Sequence, residues 1–134
     1  MHTDAVHQNQ FVSMNGSSVP VLSRLSFLAG EPFAVNVAFR TERGRWVEWT
    51  FARELLADGL VEPTGIGDVR LRPDLAADED ILFLEIESPE GYALIEFERE
   101  DVAQFVQATL DLVPLGTEHE HFDVEALIDE ITNV

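Results

Sequence analysis

The chain has 134 residues, 46% of them hydrophobic, so it can bury a core of single-domain size. Eight arginines, no lysine and twenty-six acids give a formal charge of −18, which disfavours capture of phosphates on nucleic acid or of an anionic membrane by charge. There is no cysteine for a disulfide or thiolate metal site, and no apolar run near the roughly 20 residues of a membrane span.

Residues 1–10, MHTDAVHQNQ, read as a mobile polar tail and lack the basic-then-apolar order of a signal peptide. Residues 11–134 read as a single domain. Phe11 to Met14 is a first strand, ended by Asn15-Gly16-Ser17-Ser18, and Val19 to Phe27 a second with Pro20 near its start. Phe33 to Arg40 alternates, with Phe33, Val35, Val37 and Phe39 inward. The loop 41–45, in which Arg43 and Arg45 lie close to Arg40, makes a hairpin with Trp46–Phe51. In that strand Val47, Trp49 and Phe51 share the inward face, and Trp46 falls out of phase, at a sheet end or in a contact.

At Phe51 the period changes. Ala52, Leu55, Leu56 and Leu60 recur at helical spacing, with Arg53, Glu54 and Asp58 opposite and Gly59 as a left-handed stop. Pro63 to Asp68 turns into a strand over Gly67–Leu71. Its glycines lack the lysine and following helix of a phosphate cradle, so it reads as a tight turn. After an acidic loop, Ile81–Glu87 and Tyr92–Phe97 form a hairpin about Ser88-Pro89-Glu90-Gly91. Val102, Phe105, Val106, Leu110 and Val113 mark a helix stopped by Pro114 and Gly116. Asp123 caps a final helix with Val124, Leu127, Ile128 and Ile131 on one stripe.

Phe51-Ala52-Arg53-Glu54 and Phe97-Glu98-Arg99-Glu100 both mark a switch from strand to helix. The pattern predicts two strand-meander-plus-helix halves, antiparallel sheets and a C-terminal helix in an α+β domain. Arg53 and Arg99 are expected to pair with neighbouring acids. No nucleophile and base are paired by the sequence, so no catalytic residue and no cofactor are assigned. The ligand-capable cluster is His119, His121 and Asp123 beside Glu118; it reads first as a polar connector into the Asp123 cap, and as a metal site only with a further ligand.

Val47 to Arg70, VEWTFARELLADGLVEPTGIGDVR, resembles the signature of the SsgA-like sporulation and cell division proteins of actinomycetes. Val19-Pro20-Val21, Glu31 to Val35, Ser88 to Gly91, Val113-Pro114, Gly116 to His119 and His121-Phe122-Asp123 extend the likeness over residues 19–123. One departure is Arg72, where the family pattern leads one to expect an aromatic before Pro73. The resemblance implies a Whirly-like scaffold assembled as a homotrimer. It also implies a non-enzymatic factor that recruits or positions the tubulin-like protein FtsZ, with other division proteins, at septa. That would place the chain in the cytoplasm, on the membrane only indirectly. A nucleic-acid-binding trimer is the alternative the scaffold suggests and the charge opposes; a metal protein using His119 and His121 is the other. As an adaptor the chain needs a contact surface, and Trp46, Val124, Leu127, Ile128 and Ile131 are the expected contributors.

Overall fold

The computed structural model describes residues 4–74, 80–89 and 91–121. Eight strands and two helices follow one another as β1 (Ala5–Met14), β2 (Val21–Leu28), β3 (Ala34–Arg40), β4 (Trp46–Ala52), α1 (Arg53–Gly59), β5 (Thr64–Ile66), β6 (Val69–Pro73), β7 (Ile81–Ser88), β8 (Gly91–Glu98) and α2 (Arg99–Leu112), with a 3₁₀ turn at Glu118–Glu120. The expected α+β class holds. The final helix and its stripe, Val124, Leu127, Ile128 and Ile131, lie outside the described residues.

All eight strands belong to one antiparallel sheet, ordered β4-β3-β2-β1-β8-β7-β6-β5. Each half is a meander, and the repeat therefore appears as two consecutive four-strand blocks, each sending its last strand into a helix. The halves meet where Ser13 pairs with Glu96 and Met14 with Ile95. The join is fixed by the turn after β1. Asn15 and Gly16 both take positive φ, and the Asn15 side chain accepts a bond from the Leu94 amide. The sheet curls until its halves face each other: the rings of Phe39 on β3 and Phe97 on β8 stand 6.4 Å apart, although two strands separate them in the sheet.

The core fills this concave side. Val35, Val37, Leu25, Phe27, Leu71, Leu82, Leu84 and Ile95 from the strands meet Leu55, Leu56, Val102, Phe105 and Val106 from the helices. Each such side chain contributes roughly 1.5–3 kcal/mol when fully buried. Trp49 packs against this cluster from the inward face of β4, as its phase requires.

Four expectations are corrected. Residues 5–10 are not a tail: β1 begins at Ala5 and pairs from Ala5–Leu28 to Val12–Val21. Its inward positions are Val6, Gln8, Gln10 and Val12, an alternation concealed by two glutamines. Gln10 donates to the Ser23 carbonyl and Gln8 to the Asp101 carbonyl, so both enter the sheet's inner face with partners. Phe33 is not inward; it precedes β3 and is 56% exposed, while its carbonyl accepts from the Arg53 amide. Arg53 is not on a solvent face of α1 but buried. Gly59 does not stop α1 by taking a left-handed conformation. A Cβ there would come within 2.6 Å of Leu71 Cβ, so glycine is required by the contact between helix and β6.

Between Ile66 and Val69 the chain makes a two-residue hairpin in which Gly67 has positive φ. The glycine-rich stretch thus builds the short edge strand β5 and its turn.

Candidate interaction surfaces

The two strand-to-helix junctions build the chain's most connected polar site. Arg53 opens α1 and Arg99 opens α2. The Arg53 guanidinium donates from Nη1 to the carbonyls of Val113 at 2.7 Å and Thr109 at 3.2 Å, and from Nη2 to Glu118 Oε2 at 3.1 Å. It also lies 5.0 Å from the Phe27 ring centroid. The last turn of α2 has no basic residue of its own, so Arg53 supplies the cation its carbonyl end favours. Arg99 does the matching work: its Nε donates to the Leu60 carbonyl at the end of α1 at 2.7 Å, and its Nη1 stands 3.7 Å from Asp80. Both arginines thus face acids, as expected, and both hold helix ends.

Glu118 completes the first junction. Its carboxylate is held below the ordinary range chiefly by its own backbone N–H, opposed by desolvation and helped by the Gly116 amide and Arg53. Glu118 is therefore already engaged. His119 and His121 are exposed on the 3₁₀ turn, with His121 Nδ1 3.2 Å from the Thr117 carbonyl. Asp123 lies outside the described residues, and among those described no three His, Cys, Asp or Glu side chains converge as metal ligands.

Among the described residues the convex face carries no helix. In the second half it presents Arg70 beside Glu87 and Arg72 beside Glu85. The Arg72 guanidinium also lies 4.3 Å from the Phe83 ring centroid, so the arginine found in place of an expected aromatic still covers apolar surface. A groove of about 590 Å³ runs where β1 and β8 diverge, lined by Phe11, Ser13, Ile81, Glu96 and Glu98 among others. Its Ser13 hydroxyl donates to the Ser17 carbonyl.

In the first half the convex face is a polar ladder: His7 with Ser26, Asn36 with Thr50, and Arg24 with Asn9. Trp46 stands at its end. It pairs across from Arg40, and the Arg24 guanidinium lies 4.9 Å from its ring centroid. The structure thus places Trp46 on the convex face, half-buried, opposite in sense to Trp49. Arg40, opposite Trp46, and Arg43 and Arg45, in the hairpin loop that leads into it, are all exposed. Their closeness was visible in the sequence, but whether acids pair with them is read from the fold. No ion pair among the described residues involves these three or Arg24, whereas Arg53, Arg70, Arg72 and Arg99 each face a carboxylate.

With this geometry in view, the comparison with known proteins is direct. Residues 21–118 match the family model described as Streptomyces sporulation and cell division protein, SsgA. The chain belongs to the SsgA family.

Relatives named sporulation-specific cell division protein SsgB are similar over most of its length. The Streptomyces coelicolor protein is 40% identical over 122 residues, covering 91% of this chain and 89% of the relative. The Saccharopolyspora erythraea protein is 44% identical over 102 residues, covering 76% and 72%. A solved structure described under mutations in SsgB that correlate to longitudinal cell division in S. coelicolor superposes with a TM-score of 0.81 at 39% identity, covering 88% of this chain and 95% of that one. The SsgA-like sporulation-specific cell division protein of Thermobifida fusca superposes at 0.85 with 31% identity, covering 96% of each chain. The family's architecture is accordingly this curled eight-stranded sheet with two helices. Among the described residues no helix is long and apolar enough to cross a membrane.

Proposed function

We propose that this chain is a non-enzymatic cell division factor that recruits or positions FtsZ, with other division proteins, at septum sites during sporulation-type division. The observation that carries the reading is the match to SsgB relatives over nine-tenths of the chain, at 40% identity for the S. coelicolor protein. The polar side chains that look most chemical in sequence support it, because Arg53, Arg99 and Glu118 are committed to helix ends and to each other. On this reading the chain acts from the cytoplasm, reaches the membrane through its partners, and works as a homotrimer on a Whirly-like scaffold. Trp46, with Val124, Leu127, Ile128 and Ile131 of the carboxyl-terminal segment, belongs to the contact surface.

A fluorescent fusion expressed in sporulating hyphae tests the cellular part. The reading expects regularly spaced bands that precede or coincide with FtsZ rings; fluorescence that stays diffuse while septa form overturns it. Light scattering tests assembly, where a species of the monomer mass of 15.0 kDa at micromolar concentration rules out the trimer.

A further inference from the structure

β4 is the last strand of the sheet on its side, and among the described residues nothing pairs with its outer edge. It is seven residues long, with no proline, and Val47, Glu48 and Thr50 are exposed. Edges of this kind are usually shortened, bulged or blocked, because unpaired N–H and C=O groups accept another strand. Here the edge is left long, and exposed arginines sit beside its first residue. Of the eight arginines, Arg24 lies over the Trp46 ring and Arg40 pairs across from it, while Arg43 and Arg45 are exposed in the hairpin loop that leads into it, on a protein of charge −18.

We propose that the outer edge of β4 and the β3–β4 hairpin dock an extended, carboxylate-bearing segment of a partner protein, which adds to the sheet as a further strand. Backbone hydrogen bonds to β4 supply the affinity. Carboxylates of the segment meet Arg43 and Arg45, which form no ion pair among the described residues, and its side chains on the convex side pack on Trp46. The local carboxylates, Glu42 and Glu48, leave the arginines in excess. Charge complementarity also selects the class of partner. A short acidic strand reaches this spot without lying on the rest of the surface. A nucleic acid or an anionic bilayer needs many cations to meet its phosphates, and a chain of charge −18 with eight arginines and no lysine offers few beyond this spot.

The inference rests on the adaptor reading for there being a protein partner, and not on that partner being FtsZ. Its test therefore contains no FtsZ. The full chain, labelled for amide NMR, is titrated with a synthetic peptide of alternating valine and glutamate, and with the same peptide carrying lysine for glutamate. The glutamate peptide is expected to shift the amides of residues 46–52 and the Trp46 indole, while the lysine peptide does not. Arg43→Glu with Arg45→Glu weakens binding by about tenfold or more, as does raising salt to roughly 0.5 M. Arg45→Gln alone provides the same direction of change if the double variant folds poorly. The proposal is overturned if ~1 mM glutamate peptide leaves β4 unmoved, or if both peptides bind alike. It is equally overturned if the variants change the sedimentation coefficient of the free protein, which would make this edge a contact between copies. Single-stranded oligonucleotide or anionic vesicles shifting the same amides would assign the site to another class of partner.

Discussion

Arg53 and Arg99 occupy the same place in two similar halves, and each holds the carboxyl end of the helix that the other opens. Arg53 donates to Thr109 and Val113 at the end of α2, and Arg99 donates to Leu60 at the end of α1. The exchange couples the halves through their helices, in addition to the short β1–β8 seam. Burial makes the two unequal, since Arg53 is 2% exposed and shielded from water.

Replacing Arg53 with Met should therefore cost about 3–5 kcal/mol, because two buried carbonyls and Glu118 lose their donor together. Arg99→Met should cost about 1 kcal/mol, since it loses one strong bond and a long ion pair. Urea denaturation of the two variants checks the order. Arg53→Lys should not restore stability, because one ammonium cannot span both carbonyls and the carboxylate. Equal costs for the two arginines would remove the asymmetry claimed.

Gly59→Ala is a second case in which the local rule and the fold disagree. In an exposed helix the change gains about 1 kcal/mol. Here the new methyl would meet Leu71 Cβ at 2.6 Å, so helix and strand must part. A net loss of about 1–3 kcal/mol is expected, read as a lowered urea midpoint.

Glu118 ties stability to acid. Its folded carboxyl titrates below its ordinary value near 4.5, chiefly through its own backbone N–H, so the charged form is favoured by folding. Its contribution is complete above the unfolded value and is lost as pH falls through the lowered folded value. Wild type should therefore lose its advantage over Glu118→Gln as pH drops below that ordinary value. A stability difference between the two that stays constant with pH would contradict this.

Ser23 is fully buried on the inner face of β2, and its hydroxyl has no hydrogen-bond partner among the described residues. Removing it by Ser23→Ala should leave the melting temperature unchanged or raise stability by up to about 1 kcal/mol. Ser23→Ala losing several kcal/mol would show that the hydroxyl is satisfied in solution.

The strands and helices were legible wherever apolar side chains keep a period, as in Ile81–Ser88 or in Val102, Phe105 and Val106. The internal repeat was legible at the strand-to-helix junctions. What escaped depends on partners distant in sequence. Gln8 and Gln10 read as a solvated tail because the carbonyls that satisfy them belong to Asp101 and Ser23. Arg53 read as a surface residue because its acceptors sit beyond residue 108. Gly59 read as a helix stop, since nothing local reveals Leu71 against it. The cluster at Arg40, Arg43 and Arg45 was visible as letters. That it forms no ion pair among the described residues emerged only once the fold had assigned carboxylates to the other arginines.

Co-sedimentation with preassembled FtsZ polymers tests the proposed contact with FtsZ most directly. Saturable pelleting of the wild-type chain with polymers, at micromolar concentration and near physiological salt, is the predicted result. A chain that stays in the supernatant at every polymer concentration, while folded by circular dichroism, would contradict the account.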